Sequence, residues 1–319
     1  VRRVQTHAAN RSRPVADTHA TGMEKLRGHA AMALFALLIA VSFSIGDRAI
    51  EHITPGAFNA VRFFFGTALM GAVAFALTPA ARRADFFPPK ALWRYLALGA
   101  LMGAYFITMF VALRMSNPVS TGAVFTLMPF MSAGFGYLFL RQTAGPTVLA
   151  SLAVAAAGAI WVIFRGRLDA LLSLDVGLGE VIFFFGVAAH GAYAPLVKKF
   201  NRGEPVSAFT FWTLVGTFTC VTIYAAPELV AVNWDALPAI VWIAIAYLAI
   251  FTTAGTFFLL QYAALRIPAG KAIAYSYMTP TYIILLEGAL GGGWASASVM
   301  AGAVVTFSGL VILVLAPDV

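Results

Sequence analysis

Charged and titratable side chains are scarce in this sequence, so the few inside long apolar runs are the first places to look for chemistry. Glu287 lies in TYIILLEGAL, on one helical face with Ser276, Thr279, Pro280 and Ile283. A carboxyl there could carry a coupling proton if burial raised its proton affinity. The structural alternative is a carboxylate near the interface, reaching headgroups or a neighbouring helix end. His190, in VAAHGAY, is the only His within a predicted span. Its imidazole could titrate near neutral pH and couple protons, or contact a solute together with Tyr193, one turn on. Hydrogen-bonded packing is the plainer role. Other charges read as structural. Lys271 has a stem long enough to snorkel to water, Glu180 favours a helix N-terminus, and Arg62 and Arg114 anchor helix ends at the interface.

Uncharged groups could supply the rest of a site. Tyr105, Phe106 and Met109 share one run, Phe257, Gln261 and Tyr262 another, and Tyr275 and Tyr282 a third. An apolar cavity with a few polar handles suits a small amphipathic ligand, and stacked aromatics could hold a cation or a planar ring. Pro129 and Pro280 should kink their helices and free carbonyls near midplane. Thr126, Ser132, Ser276 and Thr279 could satisfy those carbonyls or touch solute. The candidate cavity set is therefore Tyr105, Met109, Thr126, Ser132, His190, Tyr193, Phe257, Gln261, Tyr275, Ser276 and Thr279, with Glu287 and His190 as proton-coupling candidates. No metal-ligand spacing, HExxH or GxxxxGK[ST] is present, so neither a metal nor another cofactor is expected. Cys220, the single cysteine, cannot form an internal disulfide.

The elements that would position these groups follow from composition. Of 319 residues, 61% are hydrophobic and 11% charged, too few charges to cover a soluble fold of this size. Lipid must be the solvent for much of the chain, and spanning segments in lipid must be helices or a closed barrel. The runs lack the two-residue alternation of barrel strands. Ten helices are expected, at 29–46, 57–78, 92–112, 118–140 and 146–164, then 177–197, 206–226, 238–264, 269–290 and 295–316. Residues 1–27 have no apolar periodicity and read as a disordered basic cytoplasmic tail. Met23 resembles a natural start, and what precedes it reads as an upstream translation artefact.

Placing the N-terminus inside puts 16 Lys and Arg on the cytoplasmic side and leaves Arg48, Arg62, Arg114, Arg165 and Arg167 towards the other. Both termini are then cytoplasmic. The net charge of +8 reflects these short basic turns rather than a nucleic-acid footprint. Trp93, Trp161, Trp234 and Trp294 fall at predicted helix ends, and Gly99, Gly103, Gly186 and Gly191 sit where backbones could approach closely.

An internal repeat is visible. Ala112-Leu113-Arg114 is followed by Met128-Pro129, and Ala264-Leu265-Arg266 by Met278-Thr279-Pro280, with SNPVSTGAVFTLMPF opposite IPAGKAIAYSYMTPT. Five helices is an odd number, so the second copy must insert upside down. Inverted repeats are a recurring construction of secondary transporters, with the substrate site between the halves.

The segments DRAIEHITPGAFNAVRFFFG, ALRMSNPVSTGAVFTLMPF and ALRIPAGKAIAYSYMTPTYIILLEGALGG resemble EamA-type members of the drug/metabolite transporter superfamily, over nearly all of the chain beyond the tail. The resemblance implies an all-α membrane protein of ten transmembrane helices, built as two inverted five-helix EamA repeats at 28–164 and 177–316. It also implies a central cavity framed largely by the third, fourth, eighth and ninth helices. Similar proteins often carry a Glu where the fourth and ninth helices end; here those places read Leu140-Arg141-Gln142 and Gly291-Gly292-Gly293. Members export amino acids, metabolites or drugs, and others take up nucleosides or vitamins. The expected function is a secondary transporter that exports a small organic solute across the bacterial cytoplasmic membrane by alternating access. Its partners would be that solute and membrane lipid, with no nucleic acid. The alternatives are an uptake permease for a nucleoside- or vitamin-like solute, or an intramembrane lipid-modifying enzyme. An enzyme would need clustered catalytic groups, whereas His190 and Glu287 stand in different halves.

Overall fold

The computed structural model describes residues 21–79, 91–115, 124–173, 177–289 and 294–316, and nearly all of them are helical. Ten helices carry the fold. They are α1 (Gly22–Ile50), α2 (Pro55–Leu77), α3 (Trp93–Met115), α4 (Met128–Leu140), α5 (Pro146–Ile163), α6 (Leu178–Phe200), α7 (Val206–Ala231), α8 (Ala239–Ala264), α9 (Ala269–Ala289) and α10 (Ala297–Leu315). A five-residue helix, Leu168–Leu172, lies on the connection between the two sets of five. Among the described residues, eight of the ten are long and apolar enough to cross a bilayer. Their outward faces carry Phe64, Phe65, Phe185, Ile223, Ile243 and Phe307, all exposed. Such an apolar exterior is what lipid requires.

The other two, α4 and α9, are broken close to Pro129 and Pro280. Proline has no N–H to continue an upstream helix and disfavours helical geometry in the residue before it. The chain accordingly starts α4 afresh at Met128, after a turn at Thr126–Leu127. In α9 the segment Ala269–Ala274 gives way to a 3₁₀ turn, Tyr275–Tyr277, before the helix resumes at Met278. The two breaks meet: the Tyr277 hydroxyl donates to the Thr126 carbonyl at 2.6 Å. The expected start of the fourth helix, 118–123, lies outside the described residues.

Three expectations change. First, α1 begins at Gly22, so Met23–Arg27 is helix rather than disordered tail; Glu24 holds it by pairing with Arg27 and with Arg266 of the α8–α9 turn, the latter at 2.8 Å. Residues 1–20 lie outside the described set. Second, Lys271 does not snorkel: it is 1% exposed, and its ammonium donates to the Ala316 carbonyl at the end of α10, at 2.5 Å. A helix C-terminus supplies unpaired carbonyls and negative potential, a better site for a cation than lipid. Third, α7 runs past Pro227 to Ala231 and carries Glu228 with it. That carboxylate accepts from Ala57 N–H at the start of α2 (3.2 Å) and pairs with Arg114 at the end of α3 (2.5 Å).

Packing partners follow a rule. α3 packs on α6, and α8 on α1; α3 also packs on α7, and α8 on α2; α4 touches α6, and α9 touches α1. The remaining principal pairs are α2 with α7, α5 with α10 and α4 with α9. Every pair maps onto another, or onto itself, when each helix is exchanged for the one five places along. That is the pattern of a pseudo-twofold relating two EamA repeats, and the odd number of spans in each repeat inverts one against the other. Small residues permit the closest of these contacts: a Cβ on Gly99 would lie 2.5 Å from the Gly216 backbone, and one on Gly103 would lie 2.6 Å from Cys220 Cβ. Gly186 and Gly191 likewise receive Thr108 and Met131.

Within α8, residues Leu248–Gly255 form a π-helical segment, which the uniform apolar run did not announce. Thr252 and Thr256 donate back to the Leu248 and Thr252 carbonyls at 3.0 and 2.6 Å, relieving the widened turn. Gly66 of α2 lets the bulge approach, since a Cβ there would sit 2.6 Å from Thr253 Cγ2.

Candidate functional site

The interior of the bundle contains a column of aromatic and polar side chains drawn from α2, α3, α6, α7 and α8. Each is placed by helical position. Tyr105 and His190 lie halfway along α3 and α6, and their rings approach to 4.5 Å between centroids. Tyr193, one turn beyond His190, faces it at 6.5 Å and Phe257 at 6.2 Å. Phe63 meets Phe257 at 5.9 Å and Phe106 at 5.0 Å, closing the circuit back to Tyr105. Met109, half-buried, packs against this same core one turn beyond.

One end of the column is fully hydrogen-bonded. Thr210 Oγ1 donates to Gln261 Oε1 at 2.7 Å, and Gln261 Nε2 donates to the Tyr193 hydroxyl at 2.6 Å. All three residues are entirely buried. A buried primary amide must find partners for both ends, and here two helices supply them to a third. The stitch lies near the N-terminus of α7 and the C-terminus of α8. Just outside it, on the same end of the bundle, Arg94 pairs with Glu204 at 2.6 Å and donates to the Phe200 carbonyl. Burial alone would raise the Glu204 carboxyl, but hydrogen bonds from Arg94 and the Arg202 backbone outweigh it and hold it below its ordinary value.

The other part of the column is built differently. Arg62 does not anchor a helix end at the interface: it is 8% exposed, two turns into α2, with its guanidinium 5.0 Å from the ring centroids of Phe63 and Phe106. Tyr105 is its electrostatic neighbour, and among the described residues no carboxylate pairs with it. Its Nε, and both ring nitrogens of the 5%-exposed His190, have no hydrogen-bond partner among the described residues. Sequence reasoning missed Arg62 because a lone arginine near the start of an apolar run looks like an interfacial residue. The usable signal was its distance along the helix, about 10 Å past Pro55 at 1.5 Å per residue.

Five of the expected cavity residues, Tyr105, His190, Tyr193, Phe257 and Gln261, thus share this column with Met109 beside them. The rest lie along α4 and α9. Ser132 is wholly buried beneath Gly191, and its hydroxyl lacks a partner, as does that of Ser276. Thr126 offers its carbonyl to Tyr277, and Thr279 is buried in the resumed part of α9. Tyr275 bonds to His29 Nδ1 at 3.2 Å, so His29, not only His190, is a buried histidine within a helix. The side chain of Glu287 lies outside the described residues. An apolar groove of about 360 Å³ between Phe64, Phe65, Phe218 and Trp242 opens on the lipid-facing surface and offers no charge.

Comparison with known proteins agrees with this architecture. The model of the EamA-like transporter family matches residues 26–164 and again 177–315. YyaM of Bacillus subtilis (strain 168), an uncharacterized transporter, is 22% identical over 259 residues, spanning 81% of this chain and 84% of that protein. A solved crystal structure superposes with a TM-score of 0.73 at 18% identity, covering 92% of this chain and 97% of its own, a likeness of fold.

Proposed function

The chain belongs to the EamA-like transporter family and is a multi-pass membrane transporter; from that premise we propose that it moves a small organic solute through the central column by alternating access, as a secondary exporter of the bacterial cytoplasmic membrane. The observation that carries the reading is the asymmetry of the column. Tyr193, Gln261 and Thr210 seal it at one end by hydrogen bonds between helices, while unpartnered polar groups remain at Arg62 and His190. A solute site needs open hydrogen-bonding capacity inside and a closure that can be exchanged between ends.

The sealed end also gathers Arg94, Lys198, Lys199, Arg202 and Arg266, which supports its facing the cytoplasm, with both termini there. Separation of the Gln261 stitch would open the site inward. His190 and Glu287 are the groups to carry a coupling proton. In the test, purified protein in liposomes is offered a panel of labelled metabolites, with and without a proton gradient. Accumulation or release of at least one solute by the wild type, slowed by Gln261→Leu, is expected. Turnover of a lipid with no solute movement would overturn the reading. Full proton-driven transport by both His190→Ala and Glu287→Gln would remove those two as coupling groups.

A further inference from the structure

We propose that the central site selects organic anions, binding a solute carboxylate on Arg62 and its apolar body against Phe63, Phe106 and Tyr105. This rests on the transporter reading and names the substrate class that the same site would take.

The argument begins with cost. A guanidinium within the hydrocarbon depth of a membrane protein is expensive, and such charges face an interior and pair with one another or with carbonyls. Arg62 is more than nine-tenths buried and does neither among the described residues: its guanidinium lies against the rings of Phe63 and Phe106, near enough to Tyr105 to interact with it electrostatically. Cation–π contact offsets only part of the lost hydration. Glu228, which reaches the start of α2, is already engaged by Arg114 and by the Ala57 N–H. The planar fork of a guanidinium matches a carboxylate in two parallel hydrogen bonds, which a neutral or cationic solute cannot reproduce.

The surroundings agree with that choice. His190, next to Tyr105, leaves both ring nitrogens available, so a second polar handle lies one ring away from Arg62. Phe106, one of the two rings against the guanidinium, is only half-buried. A cationic solute would meet the Arg62 charge with no carboxylate among the described residues of the column to offset it.

The test uses three solutes of one shape and different charge: benzoate, benzamide and benzylammonium. Binding to the purified full-length protein in nanodiscs is measured by calorimetry, and flux of the same three by counterflow in proteoliposomes. Benzoate is expected to bind at least about tenfold more tightly than the other two, the difference a charge-assisted bidentate contact supplies. Arg62→Gln should abolish that preference and Arg62→Lys should keep part of it. In the unmodified protein, benzoate should shield Arg62 from phenylglyoxal, read by mass spectrometry of the modified peptide, so the inference is tested even if a variant fails to accumulate. Equal or tighter binding of benzylammonium, undiminished benzoate preference in Arg62→Gln, or phenylglyoxal labelling indifferent to benzoate would each overturn it. Flux of solutes without anion preference sinks this inference alone; absence of flux for any member of a wider metabolite panel sinks the transporter reading as well.

Discussion

Arg94 and Arg62 are both arginines that the fold has removed from water, and they are housed on opposite principles. Arg94, 2% exposed, has Glu204 at 2.6 Å, the Phe200 carbonyl and the face of Tyr95. Arg62, 8% exposed, has aromatic rings and no acid among the described residues. The first ties α3 to the α6–α7 turn. The second stands near His190, whose ring nitrogens find no partner among the described residues. A buried charge paired with an acid holds a structure together; one with no acid beside it among the described residues marks where something else has to bind.

That contrast can be broken by mutation. Arg94→Gln strands Glu204 and should cost roughly 3 kcal/mol in reversible unfolding of the detergent-solubilised chain, as for other broken buried pairs. Arg62→Gln removes a charge that no acid among the described residues pairs with, so it should leave unfolding unchanged or raise its midpoint while impairing transport. A loss at Arg62 as large as that at Arg94 would erase the distinction. Gln261→Leu removes the amide shared by the buried Tyr193 and Thr210 hydroxyls and should cost about 2 kcal/mol. Tyr277→Phe deprives one carbonyl of one donor and should cost about 1 kcal/mol, read in the same assay.

The smallest effect is one of pH. Glu204 is held below its ordinary carboxyl value of 4.5, so its contribution is complete above that value and fades as pH falls through the lower folded-state value. Unfolding midpoints followed from pH 6 downward should therefore drop less steeply in Glu204→Gln than in the wild type.

The helices were legible because lipid leaves few options: long apolar runs, interfacial Trp and the repeated Ala-Leu-Arg with its downstream proline located the spans and related the halves. The π-segment of α8 was not legible, since Leu248–Gly255 is as apolar as its flanks and only Gly66 across the interface makes room for it. Lys271 and Arg62 were misread for a common reason. A basic residue within two turns of a helix end can reach water or turn inward, and what decides is the neighbouring helix, such as the Ala316 carbonyl for Lys271. Gln261 and Tyr193 stood out in the sequence as polar groups in apolar runs, yet the sequence could not show that they bond to each other.

The exchange pattern of the helices bears on how the chain is made. Among the described residues, contacts between helices of the first half are light, whereas the extensive surfaces of α1, α2, α3 and α5 are completed by α8, α7, α6 and α10. The ribosome delivers α1–α5 first, so those helices must reside in the bilayer as a loose set until their counterparts arrive. The largest helix interfaces thus run between the two repeats rather than within either one. Two separately expressed halves should consequently be protected from proteolysis only when both are present in the same membrane.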